Sequence, residues 1–250
     1  MIPRGEGACL LCGAPLQYHE TAQEMECALC HRKFFSHACC EQGHYICDDC
    51  HARRGVEHIM DYCRSSRSRN PVDMVQEMMQ DPFIYMHGPE HHVMVGAALL
   101  TVYHNSGGAL ELEAALEEMR SRGGEYPGGA CGFWGCCGAA VSAGMFLSIA
   151  LGATPLSERS WGMANEITSR ALAEIGRLGG PRCCKRNSYT AIRAAVAYVA
   201  EHLEIHMQLP ERICCNHFKE NAECLRGRCP YHPAGSKKSG GNGADSLPSA

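Results

Sequence analysis

The cysteines of this chain are not scattered. Eighteen of its 250 residues are cysteine, and they gather in three groups: Cys9 to Cys63, a glycine-flanked CGFWGCCGAA followed by RCCKRN, and a final ICCNHFKENAECLRGRCPYH. A chain of this length buries roughly two-thirds of its unfolded surface without cross-links, so thiols in such number point to metal rather than to disulfides. No charged segment followed by an apolar run succeeds Met1. That argues against export and predicts a reducing, cytoplasmic setting in which thiolates serve as ligands.

Composition narrows the partners. With 45% hydrophobic and 20% charged residues and a net charge of -4, nothing favours bulk nucleic-acid binding. The uncharged stretch from Tyr126 to Ser157 exceeds the roughly 20 residues a membrane span needs. Its first half, PGGACGFWGCCG, is too glycine-rich for a helix, and only Ala139 to Leu151 has helical composition. A buried core helix is expected, and no membrane contact.

The polar, cysteine-free RSSRSRNP (Arg64 to Pro71) reads as a linker between a zinc-binding module, residues 1–63, and an all-helical metal domain, residues 72–233. Helical spacing runs through Val72 to Gln80, Pro89 to Tyr103, Ala109 to Arg122, Ala139 to Leu151, Glu158 to Leu178 and Ser188 to Met207. Pro89 suits a first turn, Ser157 and Asn187 suit N-caps, and the glycine pairs at 107, 123 and 179 suit stops. Residues 234–250 lack apolar surface to bury and are expected to be disordered. The predicted fold is therefore mainly α, with a small zinc-ribbon-like module in front.

Within that module, Cys9-x2-Cys12 and Cys27-x2-Cys30 stand fourteen residues apart. A CxxC turn aims two sulfurs at one ion at about 2.3 Å, and two such turns close a tetrahedral zinc site. The following HACCEQGHYICDDCH offers a second set, for which Cys40, His44, Cys47 and Cys50 are favoured over His37, Cys39 and His51. One or two structural zinc ions are expected, since so small a module lacks a core. Its partner, a protein or a structured RNA, is left open.

The second cysteine group joins GGACGFWGCCGAA to an apolar helix ending GATP; some fifty residues later comes GGPRCCKRNSYTAIRAAVAYV. From Gly128 to about Tyr198 this pair of segments resembles the catalytic domain of iron–sulfur-dependent L-serine dehydratases and the related cysteine desulfidases. Their pattern is a GCQxExG turn before an alanine-rich helix ending GxxP, then VPCIERNAxxAVKA. Cys131 matches the first cysteine, Cys183 the second, Arg186 and Asn187 the RN, and Ala191 to Ala195 the small-residue helix. The resemblance implies a 4Fe–4S cluster shared by Cys131 and Cys183, independent of the zinc. The family's TCDPVxG loop has no counterpart in ALAEIGRLGG, and Cys136, Cys137 and Cys184 have no family equivalent. The whole chain also resembles cysteine-rich proteins of anaerobes grouped only as a domain of unknown function, which implies no mechanism.

The missing ligand can come from Cys214, Cys215, Cys224 or Cys229, set among His217 and His232; Cys229-Pro230 is similar to the cysteine-proline that closes ferredoxin motifs. One shared cluster, two separate centres and free buried thiols all remain open. Three protein ligands would leave one iron as a Lewis acid for a small anionic or thio-substituted substrate. Lys185, Arg186 or Arg182 would pair with the substrate's anionic group or else only balance the cluster's negative charge, and His87 or His91, beside a proline at a helix start, would move the proton. The dehydratases carry a similar SHTxGP helix start near their substrate. The competing expectation is a non-catalytic zinc and iron–sulfur protein, a carrier, sensor or partner-binding module, suggested by the doubled thiols.

Overall fold

A computed structural model describes residues 9–235; the expected disordered tail lies, from residue 236 on, outside the described residues. Helices dominate. Two antiparallel strands, β1 (Leu16–Glu26) and β2 (Lys33–Cys40), precede α1 (Asp48–Ser65), α2 (Pro71–Met78), α3 (Glu90–Asn105), α4 (Leu112–Glu125), the short α5 (Ala130–Phe133), α6 (Gly138–Ala150), α7 (Arg159–Leu178) and α8 (Cys184–Leu203).

The arrangement follows from which helices are apolar all round. Along α3 the run VMVGAALLTVY is buried on every side, so this helix can only sit at the centre. It packs against α1, α2, α4, α6 and α8. Close approach depends on small residues: a Cβ on Gly96 of α3 would lie 2.2 Å from Met119 Sδ of α4 and 3.0 Å from Ser142 Oγ of α6. The Ser142 hydroxyl accepts the Gly96 N–H at 2.8 Å and donates to the His92 carbonyl. In contrast α7 is amphipathic and lays one stripe, Met163, Ile167 and Ala171, over α6 and α8. No helix among the described residues is long and apolar enough to cross a membrane.

Several expected boundaries move. The polar segment expected to link two modules joins two helices of the core along the surface: Arg64 and Ser65 end α1, and Pro71 opens α2. It is pinned by the Asn105 side chain, which donates to the Ser66 and Ser68 carbonyls, and by Gln208 N–H to Arg69 O. Asn70 caps α2 by accepting from the Val72 and Asp73 amides, ahead of a proline whose fixed φ suits the first turn. Helix α1 was hidden in the sequence by its metal-type residues, yet Ile59, Met60 and Cys63 bury its second half in the core. Asn187 is not the cap of α8. Cys183 is, accepting from the Arg186 amide, and Asn187 lies inside the helix. Ser157 likewise stands one residue ahead of the cap of α7. Trp134 is 66% exposed, because the PGGACGFWG stretch forms only one short helical turn at the surface.

The hairpin is different in kind. β1 and β2 are exposed or half-buried along nearly their whole length, and a two-stranded ribbon is marginal by itself in water. Something other than a core must hold it.

Candidate metal centres

Two groups of four side chains able to ligate a metal stand at the ends of the hairpin. Cys9, Cys12, Cys40 and His44 form one tetrad and Cys27, Cys30, Cys47 and Cys50 the other, with all ligand atoms of each within 4.8 Å of one another. Sulfurs lie 3.8 Å apart across Cys12 and Cys40 and 3.7 Å apart across Cys30 and Cys47. A tetrahedron with arms of about 2.3 Å has edges of about 3.8 Å, so both groups have the dimensions of a single bound ion such as zinc.

All eight predicted ligands converge, but in a different pairing. The two CxxC turns were expected to share one ion; instead the first joins Cys40 and His44, and the second joins Cys47 and Cys50. The hairpin explains the change. Leu16 pairs with Cys40 and Glu26 with Lys33, so the Cys9–Cys12 turn and the Cys27–Cys30 turn stand at opposite ends of a ribbon whose eight-residue strand spans roughly 25 Å. Cys40 is returned beside Cys12, and the chain then runs back to deliver Cys47, whose amide donates to Cys27 Sγ at 3.3 Å. The result is cross-braced, each tetrad clamping one end of the ribbon. Local donors are in place as well: Leu11 N–H to Cys9 Sγ and His44 N–H to Cys40 Sγ. Arg32 beside the Cys30 thiol pulls it down to about 6, ready to serve as a thiolate, whereas burial pushes Cys47 up to about 12. Cys39 stays outside both tetrads, bonded to His19.

A third gathering of thiols lies at the start of α8. A cavity there is lined by Cys183, Cys215, Cys224 and Cys229 together with Met86, Lys185, Arg186 and Asn221. Cys215 lies within electrostatic reach of Cys183, Cys224 and Cys229, and Cys183 within reach of Cys224 and Cys229. They are nevertheless spaced more widely than the N-terminal ligands, which alone among the described residues bring three or more ligand atoms within 4.8 Å. N–H groups point at the sulfurs from Arg186 and Asn221 to Cys183, from His217 to Cys215, and from Arg226 to Cys224, at 3.3–3.4 Å. Burial pushes the Cys215 thiol up to about 11 and raises Cys183 and Cys229. Arg186 is buried beside them, its guanidinium held by the Gly179 and Pro181 carbonyls and by Asn187.

Cys131 does not line this cavity. It lies instead toward Cys137, Tyr126 and Arg182, on the side of the hairpin, where His37 of β2 stacks on Phe133 and Tyr18 of β1 accepts a hydrogen bond from Arg182. The adjacent thiols Cys183 and Cys184 therefore diverge. Cys183 faces the cavity, while Cys184 sits near Cys137 and Glu90, raised to about 12 by burial. Cys137 accepts from Asn187, Cys136 offers its carbonyl to Tyr126, and Cys214 offers its carbonyl to Gln76.

Next to the cavity the predicted histidines meet buried charge. His87 pairs with Glu223 at 3.1 Å, and burial, Arg182, His91 and Lys185 push it down to about 3. His91 is pushed down to about 4 by burial and by Lys185. Lys185 itself is buried, donating to the Ile84 carbonyl at 3.2 Å. Glu90 is fully buried between two imidazoles, His91 at 3.3 Å and His51 at 3.7 Å; burial works to raise its carboxyl, yet those neighbours hold it below the usual carboxylate range. Neither Glu90 nor Asn221 could be singled out from sequence, because their roles depend on contacts across tens of residues.

The family model described as a family of unknown function (DUF5714) matches residues 59–232. The chain belongs to that family. The match takes in the helical core and the four-thiol cavity and leaves out both N-terminal tetrads. No curated protein and no solved structure matches the chain.

Proposed function

We propose that this DUF5714 protein is an iron–sulfur protein whose cluster is held by Cys183, Cys215, Cys224 and Cys229 and serves electron transfer or redox sensing. One observation carries the reading: four thiols from two distant segments surround a single cavity at a spacing too wide for one ion. The donor set fits such a group. Thiolates are its usual ligands, N–H donors to the sulfurs set its potential, and Cys229-Pro230 matches a familiar closing dipeptide. Buried Arg186 offsets the negative charge of four thiolates, and Met86, Phe218, Leu225 and Tyr231 keep the cavity largely apolar. Bound there, the group supplies one-electron chemistry. Four protein ligands leave no iron free for a substrate, which separates this function from the lyase expected from the resemblance to serine dehydratases.

That lyase is the second reading, and one observation favours it. His87 Nδ1 and His91 Nε2 are buried without hydrogen-bond partners among the described residues, both near Lys185, an arrangement suited to neutral bases beside an anion site. It requires one thiol of the cavity to be replaced by Cys131 or by substrate.

Anaerobic reconstitution of the full chain tests both. Expected are broad absorption near 400 nm, about four irons and four sulfides per chain, and loss of the cluster in each of Cys183→Ser, Cys215→Ser, Cys224→Ser and Cys229→Ser, with Cys131→Ser unaffected. A cluster that survives loss of the C-terminal cysteines but not of Cys131, together with release of ammonia from L-serine or sulfide from L-cysteine, would replace the first reading by the second.

A further inference from the structure

We infer that the metal at Cys27, Cys30, Cys47 and Cys50 governs the four-thiol cavity, through residues 81–90, which are clamped between the metal-anchored start of α1 and the start of α8. The inference rests on the cavity being the cluster site proposed above.

The first turn of α1 has no ordinary cap. Cys47 occupies the N-cap position without a side-chain hydrogen bond, and Cys50 sits in the first turn, so the ion that binds both thiols is what fixes the helix start. One residue further, the His51 ring meets Tyr85 edge-on at 4.6 Å and turns Nδ1 toward Glu90 Oε2. One turn further, Gly55 lets α1 lie directly on the segment; a Cβ there would stand 2.6 Å from the Phe83 carbonyl. Asp48, between the two ligands, accepts the Gly128 N–H at 2.6 Å and ties the same turn to the loop before α5.

The segment itself has little regular structure. It contains turns closed by Asp81, and Tyr85 N–H donates to Glu90 Oε1 at 2.9 Å. Its far side carries the cavity. The Ile84 carbonyl receives Lys185 Nζ, the Gly88 N–H points at the Cys184 thiol, and Met86 is part of the cavity wall. His87 reaches Glu223 and Asn221, in the loop between ligands Cys215 and Cys224, and Asn221 in turn donates to Cys183 Sγ. A continuous path of contacts therefore runs from Cys50 to Cys183, with Glu90 at its midpoint. Loss of the ion frees the first turn of α1, removes one wall of the clamp, and lets the segment that positions Met86 and His87 open by local unfolding.

Amide hydrogen exchange in the full chain tests this without reference to the cluster. In Cys47→Ser/Cys50→Ser, which lacks the second ion, exchange over residues 81–91 and alkylation of Cys184 are expected to accelerate by about tenfold or more. In Cys9→Ser/Cys12→Ser, which lacks only the first, both are expected to stay as in the parent. Equal exchange in the two variants overturns the inference. Should the first variant not fold, Glu90→Gln decides instead: with both ions retained, it is expected to raise exchange over the same amides several-fold, and unchanged exchange there overturns the inference equally. In reconstituted protein the opened segment is expected to speed iron loss to a chelator in step. Failure of the parent chain to assemble any cluster would remove the proposed function while leaving the exchange result to judge the coupling.

Discussion

The hairpin and the helical core spend the same residue, cysteine, to opposite ends. In the hairpin, eight ligands pack sulfur against sulfur at the edge length of a single-ion tetrahedron, and almost no apolar side chain is buried around them. At the start of α8, four cysteines stand further apart around a cavity in a wall already built from buried helices. The first set is close enough to shut on one ion where no apolar core exists; the second lines a cavity whose walls are already packed. Spacing and surroundings, not the donors, carry that distinction.

Chelation is the strongest way to break it. Structural zinc contributes on the order of 10 kcal/mol to modules of this kind. Removing both ions is expected to abolish the β1–β2 ribbon, seen as loss of its strand signal and of amide protection over residues 16–40, while α3, α6 and α8 remain protected. A ribbon that keeps its protection after complete zinc loss would place its stability in packing and dissolve the contrast.

Acid attacks the core by another route. His91 has its pKa lowered to about 4 by burial and by Lys185, against about 6.5 when unfolded. Above about 6.5 both states are neutral and the core has its full stability; as pH falls from there towards 4 only the unfolded chain takes up the proton, so stability drains away. That lowering corresponds to roughly 3 kcal/mol. Urea unfolding of the core between pH 7 and 4 is expected to weaken by at least that much, His87 adding its own loss, and His91→Gln is expected to make the curve shallower by the His91 share. Parallel curves for the two proteins would mean that His91 is not held neutral.

How much of this was legible depended on range. The CxxC turns and the Cys40/His44 and Cys47/Cys50 pairs could be read directly, because a chelating turn is a local object. Their cross-braced partnership could not, since it is fixed by the register Leu16 to Cys40, a pairing across 24 positions that no spacing rule encodes. The apolar runs of α3 and α6 announced a helical core. Helix α1 did not announce itself, because Cys47, Cys50 and His51 read as ligands and hid the apolar spacing of Ile59, Met60 and Cys63. At RCCKRN the sequence marked a thiol site but not its direction: successive residues at a helix start point different ways, so Cys183 joins the C-terminal cysteines and Cys184 turns to Glu90.

The smallest expected effect asks whether the core stands independently of the metal. Gly96 lies where α3 crosses α4 and α6, and a methyl group there would meet the sulfur of Met119 and the hydroxyl of Ser142. Met119 is fully enclosed, and Ser142 is fixed by its bonds to the Gly96 amide and the His92 carbonyl, so neither can retreat freely. Overpacking of this sort costs about 1–3 kcal/mol, from which alanine's helix preference over glycine, about 1 kcal/mol, must be subtracted. Gly96→Ala is therefore expected to lower the unfolding free energy by roughly 1 kcal/mol. Gly132→Ala, in the short α5 with no described atom beyond its own helix and neighbours within 4 Å of the added carbon, keeps that preference unopposed and is expected to be neutral to stabilising, by at most about 1 kcal/mol. If packing alone holds the core, the Gly96→Ala loss is the same before and after chelation, because the crossing of α3 with α4 and α6 shares no contact with either tetrad. A loss that grows once zinc is gone would show that the hairpin's metal also braces the centre of the helical domain.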